Sequence, residues 1–174
     1  WDALLTAMTH KGYTKQELIS AGLAVNGKNG RLYDKFRNRL MLPVIDVRGD
    51  VVGFGSRVLD KSEPKYMNTP ETLTYSKRRI LYGMNLAKKS KRSNIILCEG
   101  NLDVVTLHQA GFDNAVASMG TALTQEQLRL LSRYTKELVL CYDNDNAGQQ
   151  ATRRALELLN NSEFSVKVLQ LPRR

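Results

Sequence analysis

The chain has 174 residues, 42% of them hydrophobic and 25% charged, enough apolar material for one compact domain or two small ones sharing an interface. No apolar run approaches the roughly 18 residues of a membrane helix, and the start, Trp1-Asp2-Ala3-Leu4-Leu5, lacks the basic region and cleavage site of a signal peptide. The net charge of +9 favours a polyanionic partner.

The first thirty residues read as two short helices. Leu4, Leu5 and Met8 fall on one face, and Thr14 with Glu17 forms a capping box opening a helix over Thr14–Ala21, stopped by Gly22. Val25–Arg31, rich in Gly and Asn, reads as a loop. From Leu40 the period shortens: Met41–Val47 and Val51–Leu59 are β-rich runs joined by a hairpin at Arg48-Gly49-Asp50. Residues 60–76, with Pro64 and Pro70, are expected to be irregular and too long for a mere connector, hence a candidate functional loop. A short helix around Met84–Lys89 runs into the basic stretch Lys88–Arg92, read as a solvated helix end and boundary.

After Ser93 the pattern becomes regular. Strands are expected at Asn94–Cys98, Ala115–Ser118, Leu138–Tyr142 and Val166–Leu171, alternating with helices at Leu102–Ala110, Thr124–Tyr134 and Ala147–Leu159. Such alternation implies right-handed crossovers and a mainly parallel sheet flanked by helices, an α/β fold, with ligands at the carboxyl ends of its strands. The expected division is a smaller, basic, mixed α+β subdomain at 1–92 and the α/β domain at 93–174. Residues 1–92 carry 18 Lys and Arg against 8 Asp and Glu, whereas residues 93–174 carry 8 against 9. The asymmetry points to a basic module that grips nucleic acid beside a near-neutral one that holds the chemistry.

Two acidic motifs stand at strand ends. Glu99-Gly100-Asn101-Leu102-Asp103 follows the first strand of the regular half, and Asp143-Asn144-Asp145-Asn146-Ala147-Gly148 follows the third. Glu99, Asp143 and Asp145 are candidate ligands of Mg²⁺, a hard cation that takes carboxylate oxygens, waters and substrate phosphates. Such a site supports in-line phosphoryl transfer, with Glu99 as ligand or as base for the attacking hydroxyl. Asp103 has a competing role as a charge at a helix start, with Asn101 as the cap, and Asp145 or Asn146 can equally be a helix cap. Cys98 and Cys141 sit in apolar runs and are too few for a zinc site or a disulfide framework, so they read as core thiols of a reducing cytoplasm. His10 and His108 fit no metal or triad spacing and read as structural or surface residues.

Glu-Gly-x-x-Asp after one strand and Asp-x-Asp-x-Ala-Gly after another resemble the signature of the Toprim domain. The first half narrows the resemblance. Tyr33-Asp34-Lys35-Phe36-Arg37-Asn38-Arg39, Gly53-Phe54-Gly55-Ser56-Arg57, Pro64–Thr72, Tyr75-Ser76-Lys77, Leu81-Tyr82-Gly83 and Ala117–Thr121 are similar to the bacterial replicative primase family, in order from Tyr33 to Pro172. The resemblance implies a DNA-dependent RNA polymerase core that makes short primers on single-stranded DNA at the replication fork, in the cytoplasm, with no membrane role. Its partners would be single-stranded template, ribonucleoside triphosphates and the RNA primer–DNA hybrid. It implies Mg²⁺, replaceable by Mn²⁺, on Glu99, Asp143 and Asp145, with Asp103 as a further candidate. Arg57, Lys65 and Lys77 would receive nucleotide and primer, and Lys35, Arg37 and Arg39 would contact template phosphate.

Family members also carry a further acidic motif after the strand ending here at Leu171-Pro172, an amino-terminal zinc-binding domain and a carboxy-terminal helicase-binding domain. The chain has no initiating Met and stops at Arg174. It therefore reads as a fragment lacking the zinc and helicase modules, with a truncated Toprim domain expected to hold metal incompletely and to prime poorly or not at all alone. Asn144 and Asn146 stand where the family often has Gly and Arg, which removes a cation from the nucleotide site. The alternatives are another Toprim enzyme, of topoisomerase or nuclease type, and a nucleic-acid-binding module without catalysis.

Overall fold

The computed structural model describes residues 1–170. Contacts group the chain into two compact units, Trp1–Val44 with Val52–Ser76 and Ile45–Val51 with Lys77–Arg174. Residues 77–92 thus fall in the second unit, whereas the sequence pattern put a boundary after Arg92.

In the first unit, α1 (Ala3–His10) and α2 (Lys15–Ser20) close over a small core of Leu5, Leu18 and Ala24, with Met8, Ile19, Leu23 and Leu32 packed around it. The capping box forms as read: the Thr14 hydroxyl accepts the Glu17 N–H at 3.2 Å, and the Thr14 N–H donates to the Glu17 carboxylate at 2.7 Å. Helix α1 is capped from thirty residues away. Asp2 makes no side-chain cap, and the buried Asp34 carboxylate accepts the N–H groups of Leu4 and Leu5, each at 2.8 Å. Gly22, at φ 69°, ends α2 where a Cβ would lie 2.6 Å from the Pro70 ring.

Two expectations for this unit are corrected. The expected loop at Val25–Arg31 is part of a β-hairpin: β1 (Ala24–Asn26) pairs antiparallel with β2 (Leu32–Asp34), and only residues 27–31 turn. The Gly27 N–H donates to the Arg31 carbonyl at 2.8 Å, so the Gly and Asn content belongs to the turn alone. The irregular stretch also holds a strand. β5 (Tyr66–Asn68) pairs antiparallel with Gly55–Arg57 of β4 (Val51–Val58), which neighbours β3 (Arg39–Ile45) in a three-stranded sheet. Three residues between prolines give too short a run for alternation to show.

The second unit is the expected α/β domain. Its five-stranded sheet runs β10 (Ser165–Val168), β9 (Glu137–Cys141), β7 (Asn94–Cys98), β8 (Ala115–Ser118), β6 (Leu81–Tyr82), parallel except for β6, a strand the sequence pattern did not reveal. The crossovers are α4 (Asn101–Gln109), α5 (Gln125–Leu131) and α6 (Asn146–Leu159); α3 (Met84–Ala87) follows β6. Leu97, Val116, Leu131, Leu138 and Leu140, all fully buried, form the centre of its core. Of the fourth expected strand, Val166–Val168 lie in β10 and the Leu169 N–H donates to the Leu140 carbonyl at 2.8 Å; Leu171 and Pro172 lie outside the described residues.

Candidate functional site

Strand register decides which loops meet. Cys98 at the end of β7 is level with Cys141 of β9 and with Ala117 of β8. The next residues of all three strands, Glu99, Ser118-Met119 and Tyr142-Asp143, therefore leave the sheet at one end, the carboxyl end of its parallel strands. The same register sets the two thiols side by side. Cys98 is buried, and the neighbouring Cys141 thiol, then burial, push its pKa up.

At this end the Asp143 N–H donates to the Glu99 carboxylate at 3.3 Å. Burial raises the Glu99 pKa, offset in part by that N–H and increased further by the Asp143, Asp145 and Asp103 carboxylates. Asp143 and Asp145 are exposed. Asp145 is also the N-cap of α6, its Oδ1 accepting the Gly148 N–H at 2.8 Å, which leaves Oδ2 outside that bond. Gly148 is obligatory: a Cβ there would lie 2.0 Å from the Asp143 carbonyl oxygen, so only glycine lets the first turn of α6 press against the Asp143 backbone.

Asp103 folds back so that its Oδ2 accepts the Gly100 N–H at 2.9 Å. The cap of α4 is therefore Gly100, and Asn101, expected as the cap, is the first helical residue. Burial of the carboxyl raises the Asp103 pKa, with the Gly100 N–H opposing and Asp143 adding to the rise.

Among the described residues no three His, Cys, Asp or Glu side chains converge, as placed, into a metal-holding group. The donor chemistry nevertheless fits a hard divalent cation. Glu99, Asp143 and Asp145 offer only carboxylate oxygens, and their mutual repulsion is felt at Glu99. A cleft of about 270 Å³ opens beside Glu99, lined also by Ser118, Gly120, Thr121, Tyr142 and Arg154. Arg154 escaped the sequence reading. It lies eight residues after Asn146 on α6, close to the same helix face, and makes no ion pair or side-chain hydrogen bond among the described residues.

The cations of the first unit divide by environment. Arg57 on β4 and Lys65 lie 5.8 and 5.6 Å from the centre of the exposed Tyr66 ring, and both line a cleft of about 550 Å³ with Lys61 and Leu40. Tyr66 and Lys61 were not singled out from the sequence; cations interleaved with an aromatic ring were the available signal. Arg37 is engaged inside the unit. Its guanidinium stacks 4.7 Å from Trp1 and 4.6 Å from Tyr33 and donates to the Asp34 carbonyl. Arg39 donates to the Pro64 carbonyl at 2.8 Å, and Lys35 is half-buried. Lys77 belongs to the second unit, where the buried Gln127 side chain donates to the carbonyls of Lys77 at 3.0 Å and Ile80 at 2.9 Å. His108 donates from Nε2 to the Ala115 carbonyl, and His10 sits exposed at the end of α1.

Residues 1–88 match the model of the DNA primase catalytic core, N-terminal domain, and residues 96–174 match a Toprim-like model. The chain belongs to the DNA primase catalytic-core family. A DNA primase of Clostridium acetobutylicum is 50% identical over 173 residues, covering 99% of this chain and 29% of that protein. A DNA primase domain from Pseudomonas aeruginosa, of known crystal structure, superposes with a TM-score of 0.89 at 40% identity, over 99% of this chain and 56% of that one. A DnaG primase catalytic domain solved bound to single-stranded DNA gives 0.84 at 41% identity, over 92% of this chain and 55% of that one. The chain thus spans under a third of the curated primase and just over half of the solved primase cores. The Toprim-like α/β fold read from the acidic motifs is the fold of this primase-core chain.

Proposed function

We propose that this chain is part of the catalytic core of a primer-synthesising enzyme, a DNA-dependent RNA polymerase that joins ribonucleotides on single-stranded DNA. The observation that carries the reading is the common register of β7, β8 and β9, by which Glu99, the Ser118–Thr121 loop and the Asp143/Asp145 pair share one sheet end. Glu99, Asp143 and Asp145 would hold Mg²⁺, or Mn²⁺ in its place. Bound there, the cation supplies Lewis-acid stabilisation of phosphate charge for nucleotidyl transfer. In this reading Asp103 supports the start of α4, its Oδ2 accepting the Gly100 N–H, and is left out of the ligand set.

The remaining roles belong to the protein's own cations. Arg57 and Lys65, beside an aromatic ring, suit a nucleotide or primer strand, with Lys77 serving the same substrates. Arg154, on the cleft wall with Glu99, supplies positive charge of the kind that Asn146 does not. Lys35, Arg37 and Arg39 serve template phosphate; for Arg37 the contact competes with its stacking on Trp1 and Tyr33. Residues 1–92 grip nucleic acid and 93–174 carry the chemistry. That a DnaG catalytic domain of the same fold was solved with single-stranded DNA bound supports a template role here. Ribonucleotides, the primer hybrid and, in a longer protein, a replicative helicase are the further partners, at a cytoplasmic replication fork. No helix among the described residues is long and apolar enough to cross a membrane.

The test is primer synthesis from ribonucleotides on single-stranded DNA by the longer protein. Chelation, Asp143→Ala and Asp145→Ala should each remove it, by about 10³-fold or more for loss of charge stabilisation at the reacting centre. Full activity in either variant overturns the metal assignment. DNA binding alone, without synthesis in Mg²⁺, would favour the binding-module reading.

A further inference from the structure

A second cavity lies within the Toprim unit, sharing no residue with the cleft at Glu99. It holds about 460 Å³ between α5, the 79–84 segment and the turn at 46–47. Its apolar wall is aliphatic: Val47, Ile80, Leu81, Met84 and Leu130. Leu81 and Met84 belong to the buried core, so the floor is rigid.

The mouth carries five charges, and they are unequally engaged. Asp46 is already satisfied: its Oδ1 accepts the N–H groups of Arg48, Gly49 and Asp50 at 2.8, 3.0 and 3.1 Å, and its Oδ2 pairs with Arg48. Glu126 Oε1 pairs with Arg78 at 3.5 Å, while its Oε2 is buried without a hydrogen-bond partner. Arg79, Arg129 and Arg133 make no ion pair or side-chain hydrogen bond among the described residues, though Arg129 and Arg79 act at longer range on Glu126. Arg79, Arg129 and Arg133 thus leave the rim of an apolar concavity with a positive surplus, which an anionic ligand with an apolar anchor complements.

We infer that this cavity docks a short acidic peptide segment of a partner protein. One bulky apolar side chain of the segment fills the cavity, and flanking carboxylates bind Arg79, Arg129 and Arg133. The volume lies in the range of small ligand sites and accepts an aromatic or large aliphatic side chain. A nucleotide fits less well. No aromatic ring lines the cavity to stack on a base, and an aliphatic floor offers no partners for base edges. A nucleic-acid backbone would use the arginines and leave the floor unfilled.

The experiment is fluorescence anisotropy of the full-length protein with a labelled peptide, Glu-Asp-Glu-Phe-Asp-Glu, against the same peptide with Ser in place of Phe. Saturable one-site binding is expected, on the order of 10 µM. The Phe→Ser peptide and the double variant R129E/R133E should each weaken it tenfold or more. The milder R129Q/R133Q, with thermal unfolding unchanged from wild type, should weaken it by at least several-fold, which separates lost binding from lost folding. Equal affinity for both peptides would reduce the effect to unspecific charge and overturn the proposal. So would wild-type peptide affinity in the folded glutamine variant. The proposal also fails if that variant loses affinity for a single-stranded oligonucleotide while keeping it for the peptide, because the arginines would then be a nucleic-acid contact.

Discussion

The backbone N–H of Asp143 donates to the Glu99 carboxylate across the gap between β9 and β7. One carboxylate of the cluster is thus held by the main chain of another member. That bond orients Glu99 without neutralising it, and the Glu99 pKa stays raised by burial and by Asp143, Asp145 and Asp103. A divalent cation should relieve this crowding and stabilise the fold. At a free concentration of one hundred dissociation constants the gain is about 2.7 kcal/mol, and Tm moves by about 2–4 °C per kcal/mol in a chain of this size. Thermal unfolding with and without Mg²⁺ measures it. Asp143→Asn with Asp145→Asn should abolish the rise, and because Asn caps a helix as well as Asp, α6 should remain intact. A full Mg²⁺ shift in the double variant would sink the assignment.

Asp103 is separable from the other three. From the third position of α4 its Oδ2 accepts the N–H of the cap residue Gly100. Asp103→Asn keeps an acceptor oxygen and should leave stability and the Mg²⁺ shift near wild type, whereas Asp103→Ala should cost about 1 kcal/mol for the lost hydrogen bond to the Gly100 N–H. Urea unfolding of both, repeated in Mg²⁺, distinguishes helix support from ligation. A Mg²⁺ shift lost in the Asn variant would make Asp103 a ligand.

Much of the site was legible because its spacing is local. The apolar runs ending at Cys98 and Cys141 place Glu99 and Asp143 at strand ends, and the Asp145–Gly148 cap follows from four consecutive positions. What stayed hidden is set by distant partners. Nothing near Gln127 in sequence announces that its buried amide holds the carbonyls of Lys77 and Ile80, some fifty residues earlier. Arg154 reaches the cleft only through the helical turn of α6, and Arg37 reads as a surface cation until the fold sets Trp1 and Tyr33 against it. Strands β1, β5 and β6, of two or three residues each, are too short for a period to show.

Gly148→Ala should be costly out of proportion to one methyl group. The added Cβ meets the Asp143 carbonyl oxygen at 2.0 Å, a backbone atom that cannot rotate away. A loss of about 3 kcal/mol is expected, the upper part of the usual overpacking range, together with a weakened Mg²⁺ shift as Asp143 is displaced. Urea midpoints give the first quantity and thermal unfolding the second. A cost below about 0.5 kcal/mol, within the range of ordinary surface changes, would show that the α6 start does not press on Asp143.

Glu17 gives a pH test remote from the acidic site. The Thr14 N–H and then the Thr14 hydroxyl hold its carboxyl below the ordinary value of 4.5. An acid with a lowered native pKa contributes stability above its unfolded pKa, and the contribution fades as pH falls through the native one. Wild type should therefore exceed Glu17→Gln in urea midpoint at pH 7, with the two converging once the pH drops well below 4.5. A difference that persists unchanged in acid would assign the effect to the hydrogen bond rather than to the charge.

Asp34 carries the largest stability prediction of the first unit. Its two carboxylate oxygens each accept one N–H at the start of α1, from Leu4 and Leu5, and the residue is only 6% exposed. Asp34→Ala leaves both donors without their acceptor in a site that water reaches poorly, a loss of about 2–4 kcal/mol for two charge-assisted bonds. Asp34→Asn keeps one acceptor oxygen and should cost about half as much. Amide exchange locates the effect: the Leu4 and Leu5 N–H groups should lose protection in the Ala variant, and one of the two should keep it in the Asn variant. If both amides keep their protection in Asp34→Ala, then α1 is held by the packing of Leu5 against Leu18 and Ala24 and not by this cap.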